Sequence, residues 1–235
     1  MSIIFLRKQP FHLKRGNAWL EAMGNFMLRL PTLAFRENQF RMAIIVGLLA
    51  TVFYGGAGRL ALLRPANILE LSELDQAIPL LPWTFWIYVS VYLIFFASCW
   101  LQRDLKVYNR FLYTYLLAYF LIALFFLVYP TEFPRQQFPI TESGISARAL
   151  EFFRRIDLPN NCLPSMHVGT CVMSTLPFYR RRPWLFIIFC LWTTAIAFST
   201  LTTKQHYWVD VFAGVGYALS MYSAMLFLFR RVRLS

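Results

Sequence analysis

The chain has 235 residues, 58% of them hydrophobic and 14% charged, with 24 Phe and seven Trp. Soluble domains carry about 25% charged residues, so this composition excludes an ordinary soluble globule and suits a surface that faces lipid. The net charge of +12 sits in short pieces beside apolar runs, which membrane topology explains without nucleic-acid binding.

In chain order, residues 1–41 form a basic, amphipathic segment. Arg7 and Lys8 follow the first apolar run, the reverse of the order in a secretory signal, so the first span serves as the insertion signal. Residues 17–35 mix Trp19, Leu20, Met23, Phe26, Met27 and Leu30 with Glu21, Asn25 and Arg29 at roughly helical spacing. This pattern reads as an amphipathic helix lying on the inner leaflet, or one packed against the bundle from below. Six apolar runs follow, at about 42–54 (continuing through Gly58), 80–101, 111–129, 168–179, 184–202 and 208–229. They predict an all-α, polytopic membrane bundle of about six transmembrane helices, with 42–229 as the membrane domain and 230–235 as a basic tail. Trp83, Trp86, Trp100, Trp184 and Trp208 fall near the ends of these runs, as aromatic belts do.

Charge sets the orientation. Most of the 23 Lys and Arg fall on one side: the N-terminal segment, Arg103, Lys106 and Arg110, then Arg180 to Arg182, then Arg230, Arg231 and Arg233. The other side holds Glu70, Glu73, Asp75, Glu132, Glu142, Glu151 and Asp157. The positive-inside rule puts both termini in the cytoplasm and the long loop 130–164 outside. That loop contains Pro130, Pro134, Pro139, Pro159 and Pro164, with a short helix predicted at 143–156. The short loops and lack of targeting tails favour a bacterial plasma membrane. The four cysteines, Cys99, Cys162, Cys171 and Cys190, match no zinc or redox spacing and read as small buried hydrophobes.

Titratable groups at membrane depth are the first candidates for function. Of the three histidines, His12 lies in the basic tail, whereas His167 and His206 fall at the outer ends of predicted spans. Arg135, Lys204 and Asp210 lie at or near the same face. With a helix beginning near Gln205, the spacing from His206 to Asp210 puts both on one side. The carboxylate can then take the Nδ1 proton and leave Nε2 as a nucleophile; alternatively the pair anchors a helix end. In the stretch Cys162-Leu-Pro-Ser165-Met166-His167, Pro164 starts a helix whose first amides suit an anion. Ser165 adds a hydroxyl, and His167 can protonate a leaving oxygen. The structural alternative is a Ser-capped helix with an interfacial His. Arg135 offers a planar fork for phosphate oxygens, or snorkels to the headgroups.

Pro164-Ser165-x-His167 followed by His206-x3-Asp210 in a six-span chain resembles the type 2 phosphatidic acid phosphatase superfamily. Within it, the look is closest to the branch of aureobasidin-sensitive inositol phosphorylceramide synthases and their bacterial relatives. The resemblance covers about 129–216, and residues 203–214 are its most telling part. It implies His206 as a nucleophile forming a phosphohistidine, Asp210 as its orienting base, and His167 as acid for the leaving alcohol and base for the acceptor. Arg135, Ser165 and the backbone amide of Met166 would hold phosphate oxygens, with no metal and no cofactor. Met166 stands where the family commonly has Gly, and Thr200 where it has Arg; Lys204 is the candidate to replace that charge. These departures point to the synthase-like branch.

The resulting expectation is an enzyme that cleaves a lipid phosphate ester at the outer leaflet, with water or an alcohol as acceptor. The competing readings are a transporter or flippase for a phosphorylated lipid, a metal site of His167, His206 and Asp210, and a catalytically inactive relative.

Overall fold

The computed structural model describes residues 28–229 and 232–234. The protein is an all-α membrane bundle, and among the described residues five helical segments are long and apolar enough to cross a bilayer. These are α1 (Gln39–Ala61), the composite segment Pro82–Leu101, α5 (Leu105–Val128), α8 (Pro183–Thr202) and α9 (Trp208–Leu228). Two short pieces lie between α1 and the composite segment: β2 (Asn67–Ile68) and α2 (Glu73–Ala77). The composite segment opens with a 3-10 turn at Pro82–Thr84 and continues as α3 (Phe85–Val89) and α4 (Val91–Leu101). It breaks at Ser90, whose hydroxyl donates to the Ile87 carbonyl at 2.6 Å and accepts the Trp192 indole N–H at 2.8 Å.

The fourth apolar run, the shortest of the six by sequence, is not a full span. It forms α7 (Met166–Thr175), ended by a 3-10 turn at Leu176–Phe178 around Pro177. Ten residues rise only about 15 Å, half the hydrocarbon thickness. The reason lies in its surroundings. All of its residues except Val172 are buried, against α4, α5, α8 and α9. A helix walled in by other helices needs no length matched to lipid.

The amphipathic helix expected at 17–35 also changes. Residues up to 27 lie outside the described part; Leu28–Leu30 (β1) is extended and pairs in parallel with Val232–Leu234 (β4). Pro31 disfavours helix at the residue before it. Asn109 on α5 then takes the peptide unit of Ala34, accepting its N–H at 2.9 Å and donating to its carbonyl at 2.9 Å.

Small residues set the closest helix contacts, as is common within membranes. On α1, Ala43, Val46, Ala50, Ala57 and Ala61 are buried, and α1 packs along α5. The main core joins these to Phe95, Phe111, Leu112, Ile122, Phe126, Met166 and Met173. The tightest approach is between α9 and the start of α7, where a Cβ on Gly214 would lie 2.4 Å from the Ser165 carbonyl oxygen.

The connection 129–165 covers one end of the bundle. It contains β3 (Thr131–Glu132), parallel to β2, and α6 (Ile145–Ile156), close to the helix predicted in that loop. Asn160 Nδ2 donates to the Gly58 carbonyl at 2.7 Å and Asn161 Nδ2 to the Tyr54 carbonyl at 3.1 Å. The loop is thereby fastened to the end of α1. Gly214→Ala should destabilise the protein by about 1–3 kcal/mol by forcing α7 and α9 apart, read as a fall in Tm in detergent. An unchanged Tm would mean that this crossing tolerates a side chain.

Candidate active site

The end covered by 129–165 is where the polar residues collect. The turn from α8 to α9, residues 203–207, is buried throughout. Its backbone groups therefore need internal partners. The amides of Thr203, Lys204 and Gln205 donate back to the carbonyls of Ser199, Leu201 and Thr200. The Thr203 carbonyl accepts Arg154 Nη2 at 2.9 Å. The amide of Trp208 donates to Asp75 Oδ1 at 2.9 Å, so a carboxylate from α2 caps the start of α9, where negative charge is favoured.

α9 starts at Trp208 rather than near Gln205, so His206 precedes the helix instead of riding on its face. Asp210 still reaches it. Its Oδ2 lies 3.2 Å from His206 Nδ1 and accepts the Tyr207 amide at 2.9 Å. This contact turns the imidazole with Nδ1 toward the acid and Nε2 toward His167. Nε2 lies 3.4 Å from His167 Nδ1. His167 is also held by Tyr88, whose ring centroid is 4.4 Å away and whose hydroxyl is 3.4 Å from the same Nδ1. Tyr54 meets the His167 ring edge-on at 6.4 Å.

Ser165 is the N-cap of α7. Its hydroxyl accepts the Val168 amide at 3.4 Å, and its own amide donates to the Asp210 carbonyl at 3.0 Å. Among the described residues no acceptor meets the amides of Met166 or His167. These are the free N–H groups of a helix start beside the two histidines. The Met166 side chain itself lies in the apolar core, 2% exposed.

Arg135 donates through Nη1 to the Asp157 carbonyl at 2.7 Å, and its Nη2 lies 3.3 Å from Asp157 Oδ2. Burial pushes the Asp157 carboxyl up, while the Arg135 guanidinium and, more weakly, His206 hold it down. The pair therefore lies within electrostatic reach of the histidines. Arg154 spans Phe138 and the 203–207 turn, donating to the Phe138 carbonyl at 3.0 Å as well as to Thr203. Burial lowers its pKa to about 10, with Arg135 adding repulsion.

Lys204 lies in the loop layer, within the 203–207 turn. Its left-handed backbone (φ 53°) turns the side chain into the loop layer. The ammonium donates to the Asp75 carbonyl and lies 4.2 Å from the Phe138 ring centroid. Burial lowers its pKa. Among the described residues, no hydrogen bond or ion pair joins it to either histidine. Thr200 is fully buried, its hydroxyl donating to the Ala197 carbonyl at 2.7 Å.

The trio with metal-ligand spacing also differs from the one weighed on sequence. Among the described residues it is Cys162, His206 and Asp210, with ligand atoms within 4.8 Å of one another. Burial pushes the Cys162 thiol well up, and its Sγ donates to the Pro159 carbonyl at 3.0 Å. A metal would need the thiolate, so this environment suits a structural thiol.

A family model for the PAP2 superfamily matches residues 68–224, two thirds of the chain. The chain belongs to the PAP2 superfamily. No curated protein matches it. Membership supports a phosphatase-type enzyme acting on lipid phosphates. Against that background, the site contains groups that no sequence motif marked: Tyr54, Tyr88, Asp75, Arg154 and Asp157. Asp75 and Asp157 are acids on loops assigned to the histidine face, which is a faint signal. Tyr54 and Tyr88 lie inside apolar runs and carry none.

Arg154→Ala should lower kcat by about tenfold or more with little change in KM, since a charged hydrogen bond to the turn contributes about 1.5–3 kcal/mol. Steady-state kinetics and Tm together check this; a fall in Tm with normal kcat would make Arg154 a purely structural brace.

Proposed function

We propose that this PAP2 protein cleaves a lipid phosphate ester in two steps through a phosphohistidine on His206. The observation that supports the reading best is the chain Asp210–His206–His167, in which Asp210 engages His206 Nδ1 and His206 Nε2 faces His167 Nδ1. In the first step the Nε2 lone pair attacks phosphorus. The bond from phosphorus to the lipid alcohol breaks, and His167 gives its proton to the departing oxygen. In the second step His167 takes a proton from the acceptor, whose oxygen attacks phosphorus. The P–N bond breaks and His206 regains its lone pair.

In-line displacement puts the leaving oxygen opposite His206, on the His167 side. The 3.4 Å between the two nitrogens leaves no room for a phosphoryl group, so substrate must part the rings. The free amides of Met166 and His167 are aimed to hold non-bridging oxygens, and Arg135 supplies the charge once phosphate competes with Asp157. These donors take the part a metal would play. With water as acceptor the enzyme is a phosphatase; with a lipid or sugar hydroxyl it is a headgroup phosphotransferase, which the synthase-like motif favours. Both termini lie in the cytoplasm of a bacterial plasma membrane, and the site opens at the outer leaflet.

Purified protein with phosphate-labelled lipid should form an acid-labile, base-stable adduct that His206→Ala abolishes. Adding alcohol acceptors separates transfer from phosphate release. Adduct formation at the wild-type level in His206→Ala would sink the nucleophile assignment. Turnover should survive a chelator; loss restored by added metal would revive the metal reading.

A further inference from the structure

At the end of the bundle opposite the histidines, α5, α9 and the close of α7 surround a second cavity, of about 310 Å³. α7 separates it from the histidine site. Met166 and His167 open that helix beside His206, and the 3-10 turn that ends it lines the cavity with Leu176 and Pro177. This is the face that the positive-inside rule puts in the cytoplasm.

The charge of the cavity is one-sided. Arg110 from α5 and Arg180 and Arg181 from the turn after α7 line it, and no acidic residue among the described ones does. Arg181 is already paired: its Nη1 meets Asp104 Oδ2, and Asp104 also caps the start of α5. Arg110 and Arg180 differ. Among the described residues neither guanidinium has a hydrogen bond or an ion pair. Arg110 lies over the Phe229 ring at 5.5 Å and Arg180 over the Tyr179 ring at 5.2 Å. A ring face attracts a guanidinium but leaves its N–H groups unfilled. Arg110 Nε is shut off from solvent with no acceptor, a costly state for a cationic donor. Tyr222 on α9 adds a hydroxyl with no partner among the described residues, within electrostatic reach of Arg110 and Arg181.

The backbone is bent to bring these groups together. Arg180 has φ 63°, a left-handed conformation uncommon in residues with a side chain. The turn sends Tyr179, Arg180 and Arg181, three residues in succession, to one cavity. Backbone of this kind gathers at ligand sites. Depth then selects the kind of anion. Arg110 lies five residues into α5 and Tyr222 six residues before the end of α9. Both are therefore about 8–9 Å inside the helix ends, where headgroups meet hydrocarbon. The remaining walls are apolar, with Phe111, Met225 and Leu226, and Leu226 is exposed on the outside of the bundle.

We infer that this cavity binds a phosphate group, and that its apolar walls take it from an anionic lipid of the adjoining leaflet rather than from free phosphate. Arg110 and Arg180 hold the non-bridging oxygens, and Tyr222 donates to one of them. Arg181 adds positive field while bound to Asp104. No bond is made or broken, so the site is independent of the histidine chemistry.

Native mass spectrometry of the protein, released from micelles with equal dioleoyl phosphatidylglycerol and dioleoyl phosphatidylcholine, tests the inference. One phosphatidylglycerol should be retained in preference to phosphatidylcholine. Arg110→Gln and Arg180→Gln should each weaken that retention at least about tenfold, as loss of a charged hydrogen bond does, and Arg110→Lys should weaken it less. Arg148→Gln, which removes an exposed arginine of α6, should leave it unchanged. Equal retention of the two lipids, or wild-type retention in both Gln variants, would overturn the site. Arg180 is exposed, so its variant decides if Arg110→Gln fails to fold. Tm titrations distinguish the sources of the phosphate. Dihexanoyl phosphatidylglycerol should raise the Tm of the wild type and not of Arg180→Gln. An equal rise with inorganic phosphate at the same concentration, lost in Arg180→Gln, would assign the cavity to a soluble anion and overturn the lipid.

Discussion

Gly214 has no side chain, and the carbonyl of Ser165 occupies the space where one would be. That close crossing lets the start of α7 lie against the first turns of α9. The Ser165 amide can then bond the Asp210 carbonyl, and His167 comes within reach of His206. The two histidines are 39 residues apart in sequence and on different elements. Their meeting depends on two backbones approaching more closely than side chains would permit.

Around this crossing the protein buries an unusual amount of charge for a chain that is 14% charged. Each charged group is held by partners. Asp75 takes the Trp208 amide and the Ser72 hydroxyl, Lys204 takes the Asp75 carbonyl, and Arg154 holds the Thr203 carbonyl. Buried ionic groups contribute little net stability against apolar ones of similar size, but removing one partner is costly. Here they fasten the 203–207 turn in one conformation. The imidazole is then presented in one orientation, as a preorganised site requires.

An apolar cavity between α1 and α4 and the polar cluster meet at His167. The long loop shields one side with Arg135, Asp157 and α6, while the other side opens to lipid between α1 and α4.

The amino-acid sequence by itself determined the membrane class, the apolar runs and the grouping of His167, His206 and Asp210 on one face. Hydrophobic length, charge asymmetry and short-range motif spacing are local properties of the chain. It also carried the motifs of the PAP2 superfamily. It did not show that α7 is a short inner helix, because a buried helix and a lipid-facing one have similarly apolar sequences. It gave no sign of the left-handed turn that carries the Lys204 ammonium to Asp75. A two-residue offset from His206 says nothing of direction when the backbone between them is not helical. Only the tertiary structure brought in Tyr88, Asp157, Arg154 and the cavity along α1. Their roles come from contacts between segments far apart in sequence, and packing alone selects such contacts.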